Sequence, residues 1–394
     1  MVIRLTVLAA SILIGLGAAS AVLPAEPPIR IGVPIPLTGP VASGASQTLW
    51  GIQYAAEEAN AAGGLFGRQI QLVVEDTKGD PQTSAVVAAK LATRDRVDAI
   101  VGGYGSTGDY ALLAAIQRYA PIFIHAGASS IHIEQSFGKY EWYYHVYIWD
   151  YHRQKAAVNF FKSIPGVKTL AIAHEDQLFG SDASRLTEQY AKEAGLDVVM
   201  DEPFRSGSAD FSPILSRVKA ANPDMFFFIG YAGDDIQVER QAAQLGVHPK
   251  MIVTQGNGET RADFGAAGDY MSIVDLWSGK QNTPGLSDWL KAAQAKRGGE
   301  VVSTAVQGYV AMKILVDAAR AAGSWDHDKI LHNLSTMTFD TLYGQMAFKP
   351  PEQGGKHQLL SDSSMIAIQN LPDNGQVVVW PAAKASAQIT YPAH

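Results

Sequence analysis

The chain has 394 residues, of which 47% are hydrophobic and 18% are charged, a composition typical of a soluble globular protein and not of a disordered one. Its 31 lysines and arginines are outnumbered by 38 acidic residues, and no run of basic residues occurs, so a nucleic-acid partner is not expected. Cysteine is absent, which excludes disulfides, thiolate catalysis and zinc–sulfur sites.

The first segment of the chain has the pattern of an export signal. Arg4 precedes an apolar run over residues 5–16, which is shorter than the roughly 20 apolar residues that a membrane-spanning helix needs. The A-S-A sequence that ends at Ala21 fits a signal-peptidase site. We therefore expect a signal peptide over residues 1–21, or alternatively 1–25, and a protein exported to the periplasm. An uncleaved membrane anchor is the less favoured interpretation.

From Ile29 onward, apolar runs typical of buried strands alternate with helical patterns. This alternation predicts an α/β protein with parallel sheets and right-handed crossovers. The predicted strands are Ile29–Ile35, Ile70–Glu75, Ala99–Gly102, Ile122–His125, Thr169–His174, Met225–Ile229 and Met251–Thr254. The predicted helices are Gln47–Ala61, Gln82–Ala92, Tyr110–Tyr119, Arg153–Ser163, Ser181–Ala194, Phe211–Ala221, Ile236–Leu245 and the more isolated Thr304–Ala322.

One stretch, from Asn60 to Pro81, joins a helix end, a glycine turn, a buried strand and the start of a second helix. Gly63 and Gly64 suit the left-handed conformation that closes a helix, and a proline suits the first turn of the next one. This stretch closely resembles the sequence after the first helix in the leucine/isoleucine/valine-binding family, the type I solute-binding proteins of ABC importers.

The resemblance extends from Ile29 to about Asn374 and implies the type I periplasmic-binding-protein fold, with two Rossmann-like lobes and a hinge of three crossovers. By this resemblance, lobe 1 contains residues 28–148 plus 279–344, and lobe 2 contains residues 149–278 plus 345–394. The implied function is the periplasmic substrate-binding component of an ABC importer. Its partners would be the permease and one small molecule, namely a branched-chain or other hydrophobic amino acid or a related carboxylate, for example an aromatic one. We expect a monomer without a cofactor.

The segment from Gly103 to Gly108 spells G-x-G-x-x-G. A dinucleotide site is not favoured, because the motif follows the third strand of its unit and no acid for a ribose ends the next strand. A glycine-rich helix N-terminus with a serine hydroxyl suits a carboxylate. By the family resemblance, Ser106, between Gly105 and Thr107, binds the ligand carboxylate. The alternative is that Ser106 is an ordinary helix cap.

A second loop follows the predicted strand Ile122–His125 and reads A-G-A-S-S. It is similar to the P-A-A-T loop of the family, which implies that Gly127 offers a carbonyl and Ser129 offers an N–H and a hydroxyl to the ligand. Open α/β sheets bind ligands outside the carboxyl ends of their strands. The two loops are therefore expected to meet at one crevice.

The second half of the chain would supply the other side of the site. By the resemblance, Phe179 and Tyr231 cover the apolar part of the ligand. Gln255 stands where the amino-acid binders of the family place a glutamate that holds the ligand ammonium, and a neutral amide cannot offset a buried positive charge. We therefore expect a carboxylate without an ammonium group, although Asp150 or Glu259 could restore the missing charge.

Two other interpretations remain. A cytosolic sensor of amides or amino acids would share the fold, but the apolar N-terminus argues against it. A periplasmic enzyme is disfavoured because no nucleophile motif occurs. The histidines, such as His125 with His132, lack a familiar metal-ligand spacing, and no metal is expected. In lobe 1, Gly44 replaces a family tyrosine, which suggests room for a larger ligand.

Overall fold

The computed structural model describes residues 26–281, 283–348, 364–373 and 375–391, so the predicted signal peptide lies outside the described residues. Within these ranges, no helix is both long enough and apolar enough to cross a membrane. The strands are β1 (Ile29–Ile35), β2 (Ile70–Asp76), β3 (Ala99–Gly102), β4 (Phe123–His125), β5 (Tyr143–His145), β6 (Thr169–Glu175), β7 (Asp197–Phe204), β8 (Met225–Ile229), β9 (Met251–Gln255), β10 (Ser272–Asp275), β11 (Thr338–Thr341), β12 (Gly344–Ala347), β13 (Ile366–Asn370) and β14 (Gln376–Trp380).

The helices lie between these strands, and some of them begin or end with the expected capping residues. Asp80 caps the second helix by accepting a hydrogen bond from the Thr83 amide, and Gly195 and Gly246 end two others in the left-handed conformation. The α-helices are α1 (Ala42–Ala61), α2 (Pro81–Thr93), α3 (Ser106–Ile116), α4 (Ile131–Phe137), α5 (Asp150–Ser163), α6 (Leu178–Ala194), α7 (Ser212–Ala221), α8 (Ala232–Leu245), α9 (Arg261–Phe264), α10 (Leu286–Arg297), α11 (Ser303–Ala322) and α12 (His327–Thr336).

Two sheets form the two lobes of the molecule. The first is wholly parallel, in the order β2-β1-β3-β4-β5. The second has the order β14-β13-β10-β9-β8-β6-β7, in which β13 and β14 run antiparallel to their neighbours and the other pairs are parallel. Strands such as β3 and β8 are buried along their whole length, because helices cover both faces of each sheet. The α/β fold with two lobes is thus confirmed.

The chain passes between the sheets more than once. After β5 it continues through α5, which packs against α6, β10 and β13 of the second sheet. After β10 it returns with α11, which packs against α1, β3 and β4 of the first sheet. It then adds β13 and β14 to the second sheet. The residue boundaries given above for lobe 1 and lobe 2 stay a prediction.

Helices α1 and α11 cross at unusually short distance because each has a glycine at the crossing. A Cβ atom built on Gly51 would lie 1.8 Å from the Ala305 carbonyl oxygen, and one built on Gly308 would lie 2.0 Å from the Thr48 carbonyl oxygen. Neither position therefore accepts a larger side chain unless the helices move apart. This crossing also fixes the position of the first turns of α11, which border the cavity described next.

Candidate functional site

A cavity lies between the two sheets, where the loops after β3, β4, β6 and β8 meet at the carboxyl ends of the strands. In this arrangement the cavity has a volume of about 20 Å³, which is room for about one water molecule, so a larger ligand needs the two sides of the cavity to move apart. The cavity is lined by Tyr104, Gly105, Ser106, Gly127, Ala128, Ser129, Tyr147, Arg153, Phe179, Tyr231, Asn257, Thr304 and Gln307.

Ser106 connects the two glycine-rich loops. It is the first residue of α3, and the residue that precedes it, Gly105, has a φ of 97°, a conformation that favours glycine. The Ser106 hydroxyl oxygen accepts hydrogen bonds from the amides of Ser129 at 3.4 Å and Ser130 at 3.3 Å, and it does not cap its own helix. Since the oxygen is used as an acceptor, the hydroxyl hydrogen can be donated to a ligand.

The second loop, from Ala126 to Ser130, accepts hydrogen bonds from the buried side chain of His145. Nε2 of His145 lies 2.7 Å from the Ala128 carbonyl oxygen and 3.1 Å from that of Gly127, so that it donates to the loop as an N–H. Burial lowers the pKa of His145 well below its usual value, and the ring is therefore neutral. This histidine supports the loop, and Ser129 of the same loop lines the cavity. Among the described residues, no group of three is placed to hold a metal ion.

Aromatic rings form the walls of the cavity. The rings of Phe179 and Tyr231 are 5.3 Å apart and those of Tyr231 and Tyr104 are 6.1 Å apart. The Tyr104 hydroxyl donates to the Asn257 carbonyl oxygen at 3.0 Å and lies 2.1 Å from the position that a Cβ atom on Gly44 would take. The space left by Gly44 is thus filled by Tyr104, and the suggestion that it makes room for a larger ligand is wrong.

Arg153, on the first turn of α5, lines the cavity although the sequence did not predict it as a site residue, and the same is true of Tyr104, Tyr147, Asn257, Thr304 and Gln307. Arg153 is 1% exposed and its guanidinium lies 4.7 Å from the centre of the Tyr147 ring. Nη1 donates to Oε1 of Gln255 at 2.6 Å, while Nε and Nη2 have no hydrogen-bond partner among the residues that the structure describes. Burial lowers the pKa of Arg153 to about 10, so the side chain is still a cation at neutral pH.

Three of the expected ligand-binding residues lie beside the cavity and do not line it. Gln255 is buried, its side-chain oxygen accepts the hydrogen bond from Arg153, and its amide nitrogen donates to Gln154. Asp150 is buried, its amide donates to the Ser129 carbonyl oxygen, and burial raises the pKa of its carboxyl to about 8. Thr107 accepts a hydrogen bond from the Leu178 amide at 3.2 Å. Direct contact of these three residues with a ligand stays a prediction.

The two sides of the cleft also touch each other at its rim. Asp182 on α6 accepts a hydrogen bond from the Ser130 hydroxyl and lies 2.7 Å from Nδ1 of His132 on α4. We call these three residues the cleft contact. Together with the Thr107 bond, they join the loops of the first sheet to the N-terminal half of α6.

Comparison with known proteins agrees with this architecture. Residues 28–371 match a family described as periplasmic binding protein. The chain is 27% identical over 322 residues to the leucine-, isoleucine-, valine-, threonine- and alanine-binding protein of Pseudomonas aeruginosa, covering 81% of this chain and 85% of that protein.

Two solved structures share the fold. The branched-chain amino acid transporter substrate-binding protein LivJ from Streptococcus pneumoniae, in complex with isoleucine, is 22% identical with a TM-score of 0.76, covering 93% of this chain and 100% of that one. An ABC transporter solute-binding protein from Rhodopseudomonas palustris, in complex with benzoate, is 17% identical with a TM-score of 0.80, covering 92% and 98%. The chain therefore belongs to the type I periplasmic binding proteins of the Leu/Ile/Val-binding family, and it is a solute-binding protein and not an enzyme.

Proposed function

We propose that this protein delivers a small carboxylate without an ammonium group, with a branched or aromatic body, to the permease of an ABC importer. One observation carries the proposal: Arg153 is the only charged side chain among the described residues that line the cavity. A buried cation without an acidic partner in the lining attracts an anion and repels an ammonium group.

The loops after β3 and β4 support binding of the carboxylate. The Ser106 hydroxyl has its hydrogen free to donate, and the Ser129 side chain borders the same end of the cavity. Hydrogen bonds to a carboxylate are shorter and stronger than those between neutral groups. The positive end of the α3 dipole, beside Gly105, also favours a carboxylate at this end of the cavity.

The aromatic walls support an apolar body for the ligand. Phe179 and Tyr231 come from the second lobe, and Tyr104 comes from the first. The ligands named for the similar structures, isoleucine and benzoate, are both small carboxylates with an apolar body, and benzoate carries no ammonium. Arg153 favours the benzoate type.

The mechanism that we propose is closure of the two lobes around the ligand, which stabilises the closed form through contacts to both sides. The protein would act as a monomer after export to the periplasm and after removal of residues 1–21 or 1–25. This localisation agrees with the family, which consists of periplasmic binding proteins.

The ligand class can be tested with matched pairs that differ in the α-amino group. A thermal-shift and calorimetry panel would compare leucine with isocaproate, phenylalanine with phenylpropanoate, and both pairs with benzoate. We expect the deaminated acids to bind more tightly, since an ammonium group beside Arg153 would be left uncompensated. Tighter binding of leucine than of isocaproate would contradict the proposed ligand class.

Ser106→Ala should weaken binding of the preferred acid by about tenfold to a hundredfold, because a hydrogen bond to a charged group contributes roughly 1.5–3 kcal/mol. Calorimetry measures the affinity, and circular dichroism verifies the fold. Ser84→Ala is the matched control, since Ser84 is also fully buried but lies on α2, outside the cavity. Equal affinities of the Ser106 and Ser84 variants would leave Ser106 with a structural role only.

Gln255→Glu should place a carboxylate on Nη1 of Arg153 and neutralise the cation. We expect the affinity for deaminated acids to fall by about tenfold or more, which corresponds to ~1.4 kcal/mol, and the affinity for amino acids to rise. Gln71→Glu adds the same charge at an exposed position on β2 and serves as the control. An unchanged ratio of isocaproate to leucine affinity would show that Arg153 does not select the ligand.

A further inference from the structure

The free edge of Arg153 has the geometry of a carboxylate site. Nε and Nη2 lie along one edge of the planar guanidinium, and such a pair can donate two parallel hydrogen bonds to one carboxylate. Gln255 holds the opposite nitrogen, Nη1, and so fixes the orientation of the group. Buried side-chain nitrogens are normally paired, so two free ones beside a cavity indicate a ligand.

Two polar side chains of α11 border the same cavity and are also unpaired. Thr304 and Gln307 are each 1% exposed. The Thr304 hydroxyl and both polar atoms of the Gln307 amide have no hydrogen-bond partner in the part of the chain that the structure describes. Arg153 comes from the second lobe and α11 packs on the first sheet, so unpaired donors reach the cavity from both lobes.

This polar group is separate from the Ser106 end of the cavity, because Tyr104 extends between them. The backbone of Tyr104 adjoins Gly105, whereas its hydroxyl donates to the Asn257 carbonyl oxygen. A Cβ atom on Gly258, next to Asn257, would lie 2.6 Å from the Thr304 hydroxyl oxygen. The cavity thus has a Ser106 end and an Arg153 end, with a tyrosine ring along the wall that connects them.

The acidic residues near Arg153 lie outside the lining of the cavity. Asp235, Glu259 and Asp275 lie close enough to affect Arg153, but none of them lines the cavity. Burial raises the pKa of Asp235 well above its usual value, with Glu259 acting in the same direction, and burial raises the pKa of Asp275 to about 6. Asp235 therefore contributes little negative charge near the guanidinium at neutral pH, whereas Asp275 is mostly ionised there and lies outside the lining of the cavity.

We propose that the ligand is a dicarboxylate with a short apolar or aromatic spacer, with one carboxylate at Ser106 and Ser129 and the other on Arg153, Thr304 and Gln307. This inference rests on the proposed function, since it assigns the second end of the same carboxylate site. The second carboxylate also bridges the lobes, because its donors come from both of them.

Matched acids that differ only in the second carboxylate test the proposal. Calorimetry on the full mature protein would compare benzoate with isophthalate and terephthalate, and hexanoate with adipate. We expect at least one diacid to bind about fiftyfold or more tightly than its monoacid, as two charge-assisted hydrogen bonds would provide.

Three variants test whether the preference for diacids depends on Arg153 and Gln307. In Arg153→Met the ratio of diacid to monoacid affinity should fall to about one, and in Gln307→Leu, which keeps the charge, it should fall about tenfold. Arg217→Met removes a half-exposed arginine that pairs with Glu202 on the surface and should leave the ratio unchanged. Gln307→Leu gives an independent result if Arg153→Met does not fold.

The outcomes separate this inference from the function on which it rests. Monoacids that bind as tightly as every matched diacid would overturn the dicarboxylate and leave the carboxylate receptor standing. A diacid preference that persists in both the Arg153 and the Gln307 variants would overturn the assigned site. Binding of amino acids in place of all these acids would overturn the proposed function itself.

Discussion

Gly308→Ala should lower the free energy of unfolding by about 3 kcal/mol, the upper part of the range for an added methyl group in a packed core. The new Cβ atom would lie 2.0 Å from the Thr48 carbonyl oxygen, and because that oxygen belongs to the backbone of α1, it cannot turn aside. The two helices would have to move apart. Urea unfolding followed by circular dichroism measures the change.

A glycine elsewhere in a helix provides the control. Gly233 is near the start of α8, and a Cβ atom there would have no heavy atom within 4 Å in the described structure. Gly233→Ala should therefore be neutral or stabilising by up to about 1 kcal/mol, since alanine reduces the entropy of the unfolded chain. If the two variants unfold at the same urea concentration, the close crossing of α1 and α11 does not contribute as described.

The free energy of unfolding should rise by roughly 5 kcal/mol as the pH falls from about 8.5 to about 6.5. Burial raises the pKa of Asp150 and Glu239 to about 8 and that of Glu134 and Glu175 to about 7. In this window the folded protein binds protons at these carboxyls, whereas the unfolded chain, with ordinary carboxyl pKa values, does not. Stability is therefore lost as the pH rises through the pKa values of the folded state.

Glu239→Gln isolates one part of this dependence without touching the cavity, because Glu239 lies on α8 and is 2% exposed. The variant should lose roughly a third of the change in unfolding free energy between the two pH values. The lowered pKa of His145 opposes the trend only below about pH 6.5, where the unfolded histidine takes up a proton. Thermal unfolding in buffers of equal ionic strength measures the change. A free energy of unfolding that increased between about pH 6.5 and about pH 8.5 would contradict this account.

The parts of the fold that the sequence predicted well are those with a strong local signal. The bounds of β1, β3 and β8 agree with the prediction, since each is a mostly apolar run next to a turn. The edge strand β7 was missed because its residues alternate between half-buried and exposed, and its short apolar run ends at Asp201 and Glu202. Short strands such as β10 and the antiparallel β13 were also missed, because they depend on pairing with distant segments.

The site was predicted in part for the same reason. Ser106 and Ser129 could be found because each follows a buried strand at a short, fixed distance. Arg153 was assigned only to the start of a helix, since arginine is mostly exposed and its burial depends on tertiary packing. Gln307 could not be assigned to the site at all, because only the crossing of α1 and α11 brings it to the cavity.

The cleft contact bears on how such a carrier releases its cargo. The Asp182 side chain is 4% exposed, while that of His132 is 51% exposed, so the contact lies at the edge of the solvent. In the proposed opening of the lobes, water would enter beside Asp182 and replace the hydrogen bonds from Ser130 and His132. Such an exchange leaves a net difference of only about 0.5–1.5 kcal/mol per neutral hydrogen bond and somewhat more to a charged group. If the lobes open as proposed, the cleft contact would therefore add little to the free energy of opening, and retention of the ligand would depend on the contacts that the ligand itself makes.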